Sequence, residues 1–124
     1  MNQPNRQVFF REKGRFHKRK AIALDLNETT IQYQDNIYFF EYPYKSLHQI
    51  IFHESSLQVE FVIDHNHKRK IVKVRKSAPV QYANRAYTLD CLTLCGNPWE
   101  HYQAIEAHLL QFAAPHTEIL YEPI

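Results

Sequence analysis

Glycine is almost missing from this chain. Only Gly14 and Gly96 occur in 124 residues. A loop that cradles phosphate on its backbone needs several glycines for close approach, so no such loop is available. GxSxG and HExxH are also absent, which removes the signatures of a hydrolase nucleophile elbow and a zinc-protease helix. No apolar run approaches the ~20 residues that a membrane-spanning helix requires. The opening MNQPNRQ is polar and has no apolar signal core, so no secretory signal is expected.

Cysteine is limited to Cys91 and Cys95, both in TLDCLTLCG. In a strand they share a face but stand about 13 Å apart, beyond disulfide reach. They read as reduced core residues, which fits a cytoplasmic setting. Their spacing is not that of a zinc knuckle. None of the eight histidines is paired by spacing with a serine or carboxylate. The expectation is therefore a non-enzyme without a cofactor.

What the chain does have is apolar content of 44% and aromatic content of 14%. That is enough for one folded domain across residues 1–124. Its net charge of +2 conceals strong segregation. Residues 1–20 sum to +6, 21–67 to −6, 68–76 to +6 and 77–124 to −4. Thirteen of the fifteen Lys and Arg lie in the two basic segments, and each segment holds one copy of HKRK, at His17–Lys20 and His67–Lys70.

Period-two alternation dominates residues 7–95. QVFFRE is a strand candidate. KAIALDL places Ile22, Leu24 and Leu26 on one face, and Asn27-Glu28 is a turn. TTIQYQD places Ile31 and Tyr33 together, with a second turn at Asp35-Asn36. IYFFEYPYK is extended, and Pro43 bars it from a central strand. SLHQIIFHE, LQVEFVID and RKIVKVRK follow as strands, and LQVEFVID sends Leu57, Val59, Phe61 and Ile63 inward. SAPVQYANRAY reads as irregular and TLDCLTLCG as the last strand. The period then becomes helical over about 98–112. Asn97 is the cap, Pro98 the first helical residue and Glu100 the capping-box acid. Trp99, Tyr102, Ile105, Leu109 and Phe112 form an apolar stripe, and Pro115 ends the run. The tail 113–124 either packs along the domain or frays. The expected fold is α+β: a bent antiparallel sheet or partly open barrel of about seven strands, capped by one C-terminal helix.

This order resembles the pleckstrin-homology superfold and its GRAM-like relatives over roughly residues 7–112. The resemblance is carried by EKGRF, KRKAIALDLNETTIQYQD, EYPYKSLHQI and TLDCLTLCGNPWEHYQAIEAHL. Where the family helix carries Trp three residues before an Ile, this chain has Tyr102 before Ile105. The resemblance implies a phosphoinositide pocket among the first-second, third-fourth and sixth-seventh strand loops. It also implies an atypical pocket between the first-second and fifth-sixth loops, and the two HKRK copies are assigned to that second pair.

Four groups of residues are candidates for function. Lys13, Arg15, Lys18, Arg19 and Lys20, with Lys68, Arg69 and Lys70, suit phosphate; the bland reading is solvated strand ends that discourage edge pairing. The same charges with Phe9, Phe10 and Phe16 suit nucleic acid, although no nucleic-acid motif is present. His65 and His67, near His53-Glu54, are weak metal ligands lacking a firm third partner; the alternative is a polar hairpin loop. IYFFEYPY has five aromatics in eight residues. Its Tyr38, Phe40, Tyr42 and Tyr44 are a candidate partner surface, or else they pack under residues 77–87. His101 and His108 read as residues bordering the helix stripe.

The expected function is non-catalytic binding, of a protein partner or of an anionic, phosphate-bearing lipid headgroup at a membrane periphery. The alternative is a small inhibitor of the bacterial immunity type, and the third is a nucleic-acid-binding module.

Overall fold

The computed structural model describes residues 5–11, 22–34, 38–63, 71–73 and 86–122. Nine strands and one α-helix occur among them. Strands β1 (Gln7–Phe10), β2 (Ile22–Leu26), β3 (Thr30–Gln34), β4 (Tyr38–Pro43) and β7 (Ile71–Lys73) form one antiparallel sheet in that order. Strands β5 (Leu47–His53), β6 (Gln58–Ile63), β8 (Ala86–Asp90) and β9 (Glu118–Tyr121) form a second, in the order β8-β6-β5-β9. Helix α1 covers Pro98–Phe112. The described strands make two sheets and no closed barrel.

Local chemistry explains most of these boundaries. The β2–β3 turn is held by Asn27, whose side-chain oxygen accepts the backbone N–H of Thr29 at 2.9 Å and of Thr30 at 2.7 Å. Such self-capping is why Asn favours turns. Contrary to the expectation from Pro43, β4 is an interior strand, paired with β3 on one side and β7 on the other; Pro43 is tolerated because it is the last residue of β4, beyond the Tyr38–Phe40 stretch that pairs with β7. A single 3-10 turn, Tyr44–Ser46, then passes the chain to the second sheet. Along β6 the alternation is clean, with Val59, Phe61 and Ile63 buried and their neighbours partly exposed.

Two faces of β2 are buried, because Ala23 and Asp25 are covered as well as Leu24 and Leu26. A buried carboxylate needs a partner. Arg6 supplies it with two hydrogen bonds, Nε to Oδ1 at 3.0 Å and an Nη to Oδ2 at 2.6 Å.

The last strand before the helix differs from expectation. β8 stops at Asp90, and Cys91–Thr93 form a 3-10 turn. Asp90 causes this, since its side chain accepts the N–H of Leu92 at 3.0 Å. Cys91 and Cys95 therefore do not share a strand face, although both are free thiols. Burial, reinforced by Asp90, pushes the Cys91 thiol up to about 12.

Gly96 is where the chain reverses into α1. Its φ is +106°, a region that side chains avoid. A Cβ there would stand 2.7 Å from Nε2 of His101, whose ring bonds the Cys95 carbonyl. Asn97 then caps the helix, accepting from Trp99 N–H at 3.0 Å and Glu100 N–H at 3.2 Å.

The helix touches both sheets. His101 meets Phe9 of β1 edge-on, Tyr102 meets Phe52 of β5 edge-on, and His108 reaches the β2–β3 turn. Tyr102, Ile105 and Leu109 join the core drawn from both sheets. The tail becomes β9, which pairs parallel with β5. Thr117 anchors it by donating to the Leu47 carbonyl at 2.7 Å.

Candidate functional site

The basic residues Lys13, Arg15, Lys18, Arg19, Lys20, Lys68, Arg69 and Lys70 lie outside the described residues, as do His65 and His67. The strands that follow the two HKRK copies are described. The second copy comes between β6 and β7, so it belongs to the sixth-seventh connection rather than the fifth-sixth. β2 follows the first copy and starts at Ile22, at the sheet end shared by Gln34, Tyr38 and Lys73. β7 runs from Ile71 towards that same end, because Ile71 pairs with Phe40 and Lys73 with Tyr38. The starts of β2 and β7 thus face opposite ends of the sheet.

The aromatic run requires a correction. Tyr42 is 1% exposed and Tyr44 is fully buried, so neither is a partner surface. β4 points Tyr42 to the same side as its register partner Ile31, which is buried too. Tyr44 is folded inward by the 3-10 turn, and its hydroxyl donates to the Asn27 carbonyl at 2.7 Å. Burial, with a contribution from Asp25, raises its pKa. The side chains of Tyr38 and Phe40 lie outside the described residues.

His108 also departs from expectation. It is 5% exposed rather than at the border of the core. Its Nε2 donates to the same Asn27 carbonyl at 2.8 Å. Burial pushes its pKa below 6.5, against the opposing pull of the Asn27 carbonyl and Glu28. The neutral ring is thus a structural link between helix and turn.

Among the described residues, exposed aromatic rings occur together on α1 and β9. Trp99, assigned by its spacing to the core stripe, is 42% exposed. It sits at the first helical turn, where the core residues do not reach over it. Its ring stacks on Tyr102, with centroids 5.8 Å apart and planes within 11°. Tyr102 in turn meets Phe52 edge-on at 5.8 Å, and Phe52 stacks on Tyr121 at 5.3 Å. Two buried rings therefore support two exposed ones, since Tyr121 is 51% exposed. Spacings of four, three and four continue this outward face of α1 through Gln103, Glu106 and Leu110. Leu92, on the 3-10 turn packed against α1, is 63% exposed.

The segment that builds this face is acidic. Residues 97–122 contain four acids and no Lys or Arg. Burial first, and then Glu106, pushes the Tyr121 phenol up to about 12. Tyr102 is also pushed up to about 12, by burial first and then by Glu106 and Glu54. Nearby, the His53 ring lies between Glu60, at 3.0 Å, and Glu122 at the end of β9. This grouping ties the tail to the β5–β6 hairpin. Among the described residues no group of three or more His, Cys, Asp and Glu is arranged to hold a metal ion.

Sequence reasoning missed Tyr121 because the tail has no pattern of its own. For Trp99 a signal existed, because it leads the helix stripe from the exposed first turn. No family model matches the chain, and no match was found among curated proteins or among solved structures. No helix among the described residues is long and apolar enough to cross a membrane.

Proposed function

We propose that this chain is a non-catalytic binding module that docks a protein partner on the face formed by α1 and β9. The observation that carries the reading is the ring ladder Trp99–Tyr102–Phe52–Tyr121, exposed at both ends and anchored in the core. Exposed aromatics held rigid by buried neighbours lose little side-chain entropy on binding, which is why such rings dominate interface energetics. A small inhibitor of the immunity type would act through such a face. The sheet-then-helix order supports the pleckstrin-homology-like reading of the fold, and β9 lies beyond the span of that resemblance.

A photo-crosslinking residue at Gln103 tests the docking reading. In the native cell it is expected to give one discrete adduct, and the same residue at Thr88, on the far edge of the second sheet, none. The identified partner should then bind the purified Trp99→Ala/Tyr121→Ala protein at least ~10-fold more weakly, a loss of about 1.4 kcal/mol or more. Equal adducts from both positions, or unchanged affinity, would defeat it.

A second reading rests on the charge partition, which puts thirteen of fifteen Lys and Arg beside the two HKRK copies. We propose that these segments meet anionic phosphate, as on a lipid headgroup. Binding to vesicles with phosphoinositide should then fall steeply with salt. Because the starts of β2 and β7 face opposite ends of the sheet, each HKRK→HAAA change should weaken it separately, and both together should abolish it. Equal binding to neutral and anionic vesicles ends this reading. Salt-sensitive binding to oligonucleotides without vesicle binding would replace it with the nucleic-acid reading.

A further inference from the structure

We propose that the open edge of β9 takes up an extended segment of the protein partner as a further strand, and that this segment presents basic side chains on either side of an apolar one. The inference rests on the docking reading above and names the chemistry of the partner that the face selects.

The edge follows from the backbone register. β9 is the outermost strand of its sheet, and among the described residues only β5 pairs with it. Glu122 donates its N–H to the Phe52 carbonyl at 3.0 Å, and Tyr121 stands opposite Phe52 in the parallel register. Alternate residues of a parallel strand bond to the same neighbour, so Glu118, Leu120 and Glu122 turn their backbone groups towards β5. The N–H and C=O of Ile119 and Tyr121 then point to the open side. A row of such backbone groups is a template for another strand.

The side chains set which strand fits. Ile119 packs on the core and Tyr121 stacks on Phe52, so Glu118, Leu120 and Glu122 share the opposite face. Two contacts fix that face. Gln49 Nε2 donates to Glu118 Oε1 at 2.6 Å, and the His53 ring bonds Glu122. Gln49 and His53 alternate along β5 with the fully buried Ile50 and Phe52. The edge therefore shows an acid, an exposed leucine and a second acid. Opposite charges and apolar pairs placed directly across neighbouring strands are stabilising. The matching strand has a basic, an apolar and a basic side chain at alternate positions. A carboxylate offers roughly four lone-pair sites, so one bond each leaves both glutamates able to accept from Lys or Arg. A second copy adding its own β9 antiparallel about Leu120 would set Glu118 against Glu122, and like charges directly opposite are destabilising. The two glutamates thus favour a basic strand and disfavour a copy of themselves.

The test uses the whole folded chain and the peptide TKVVVKT, acetylated and amidated, with backbone amide hydrogen exchange read by NMR. In the free protein the N–H groups of Leu120 and Glu122 should exchange slowly and those of Ile119 and Tyr121 fast, because only the first two are bonded to β5. Saturating peptide should slow Ile119 and Tyr121 at least ~10-fold, with a Kd of roughly 1 mM. TEVVVET, which reverses the charge, should give no protection. TKVVVKT N-methylated at its valines, which keeps the charge and removes the strand donors, should give none either. Glu118→Gln/Glu122→Gln should weaken TKVVVKT several-fold, while slow exchange at Leu120 shows that β9 is still in place. Failure of TKVVVKT to protect, or equal protection by either control peptide, would overturn strand addition. So would slow exchange at Ile119 and Tyr121 without peptide, since the edge would then be covered already, by a second copy if the effect grows with protein concentration. The two readings fail separately. A partner adduct at Gln103 without edge protection leaves docking intact and removes strand addition. Edge protection without any adduct leaves strand addition and removes docking on the ring ladder.

Discussion

Phe52→Ala should lower the unfolding free energy by about 3–5 kcal/mol, the range for deleting a fully buried aromatic. Phe52 is fully buried in β5, between the edge of Tyr102 and the face of Tyr121. Removing it takes away apolar burial and leaves a cavity that two flanking rings cannot both collapse into. For a domain of this size the melting temperature should fall by about 10–20 °C. The total stability of such a domain is only about 5–15 kcal/mol, so the variant sits near the limit of folding. Phe52→Leu is the milder companion. It keeps most of the volume and should cost about 1–1.5 kcal/mol, yet it removes the stacked partner of Tyr121. Partner binding should then weaken more than stability does, because the exposed ring has lost its support. Calorimetry gives the first quantity and titration with the crosslinked partner the second. A Phe52→Ala loss below about 1 kcal/mol would mean that the ladder is not packed as described.

Gly96→Ala should cost about 2–4 kcal/mol by two separable routes. The first is backbone strain, because φ is +106° and a non-glycine residue there pays about 1–3 kcal/mol. The second is collision, because the new Cβ stands 2.7 Å from His101 Nε2. The imidazole must move, and its bond to the Cys95 carbonyl goes with it, a loss of about 1 kcal/mol. A double-mutant cycle separates them. In a His101→Ala background the collision is gone, so Gly96→Ala should cost only its strain. The two single costs should therefore sum to more than the double cost by about 1 kcal/mol. Strict additivity in chemical denaturation would exclude the collision.

How much of this was legible beforehand depended on the range of the signal. The helix was readable to the residue from Asn97 and Pro98, because capping is settled within three positions. The inward set of β6 was equally readable, because alternation has a period of two. Asp90 is a local signal of the opposite kind: Asp at the end of a strand pattern favours a turn, and it ends β8 before Cys91. The candidate site was hardly legible at all. Tyr42 and Tyr44 looked like surplus aromatics for a surface, and the fold placed both inside. Trp99 looked like core, and the fold left it out.

The sequence alone determined an antiparallel, β-rich chain ending in a capped amphipathic helix, and it determined the segregation of charge. These are properties of neighbours two to four residues apart and of simple counting. Tertiary structure decided that residues 118–121 add to β5 as a parallel strand, since that pairing joins positions 69 apart, such as Gln49 and Glu118. It decided that His108 is an interior link to Asn27, 81 positions away. It also decided which rings face water, because exposure depends on what covers a residue, and the covering elements are remote in the chain.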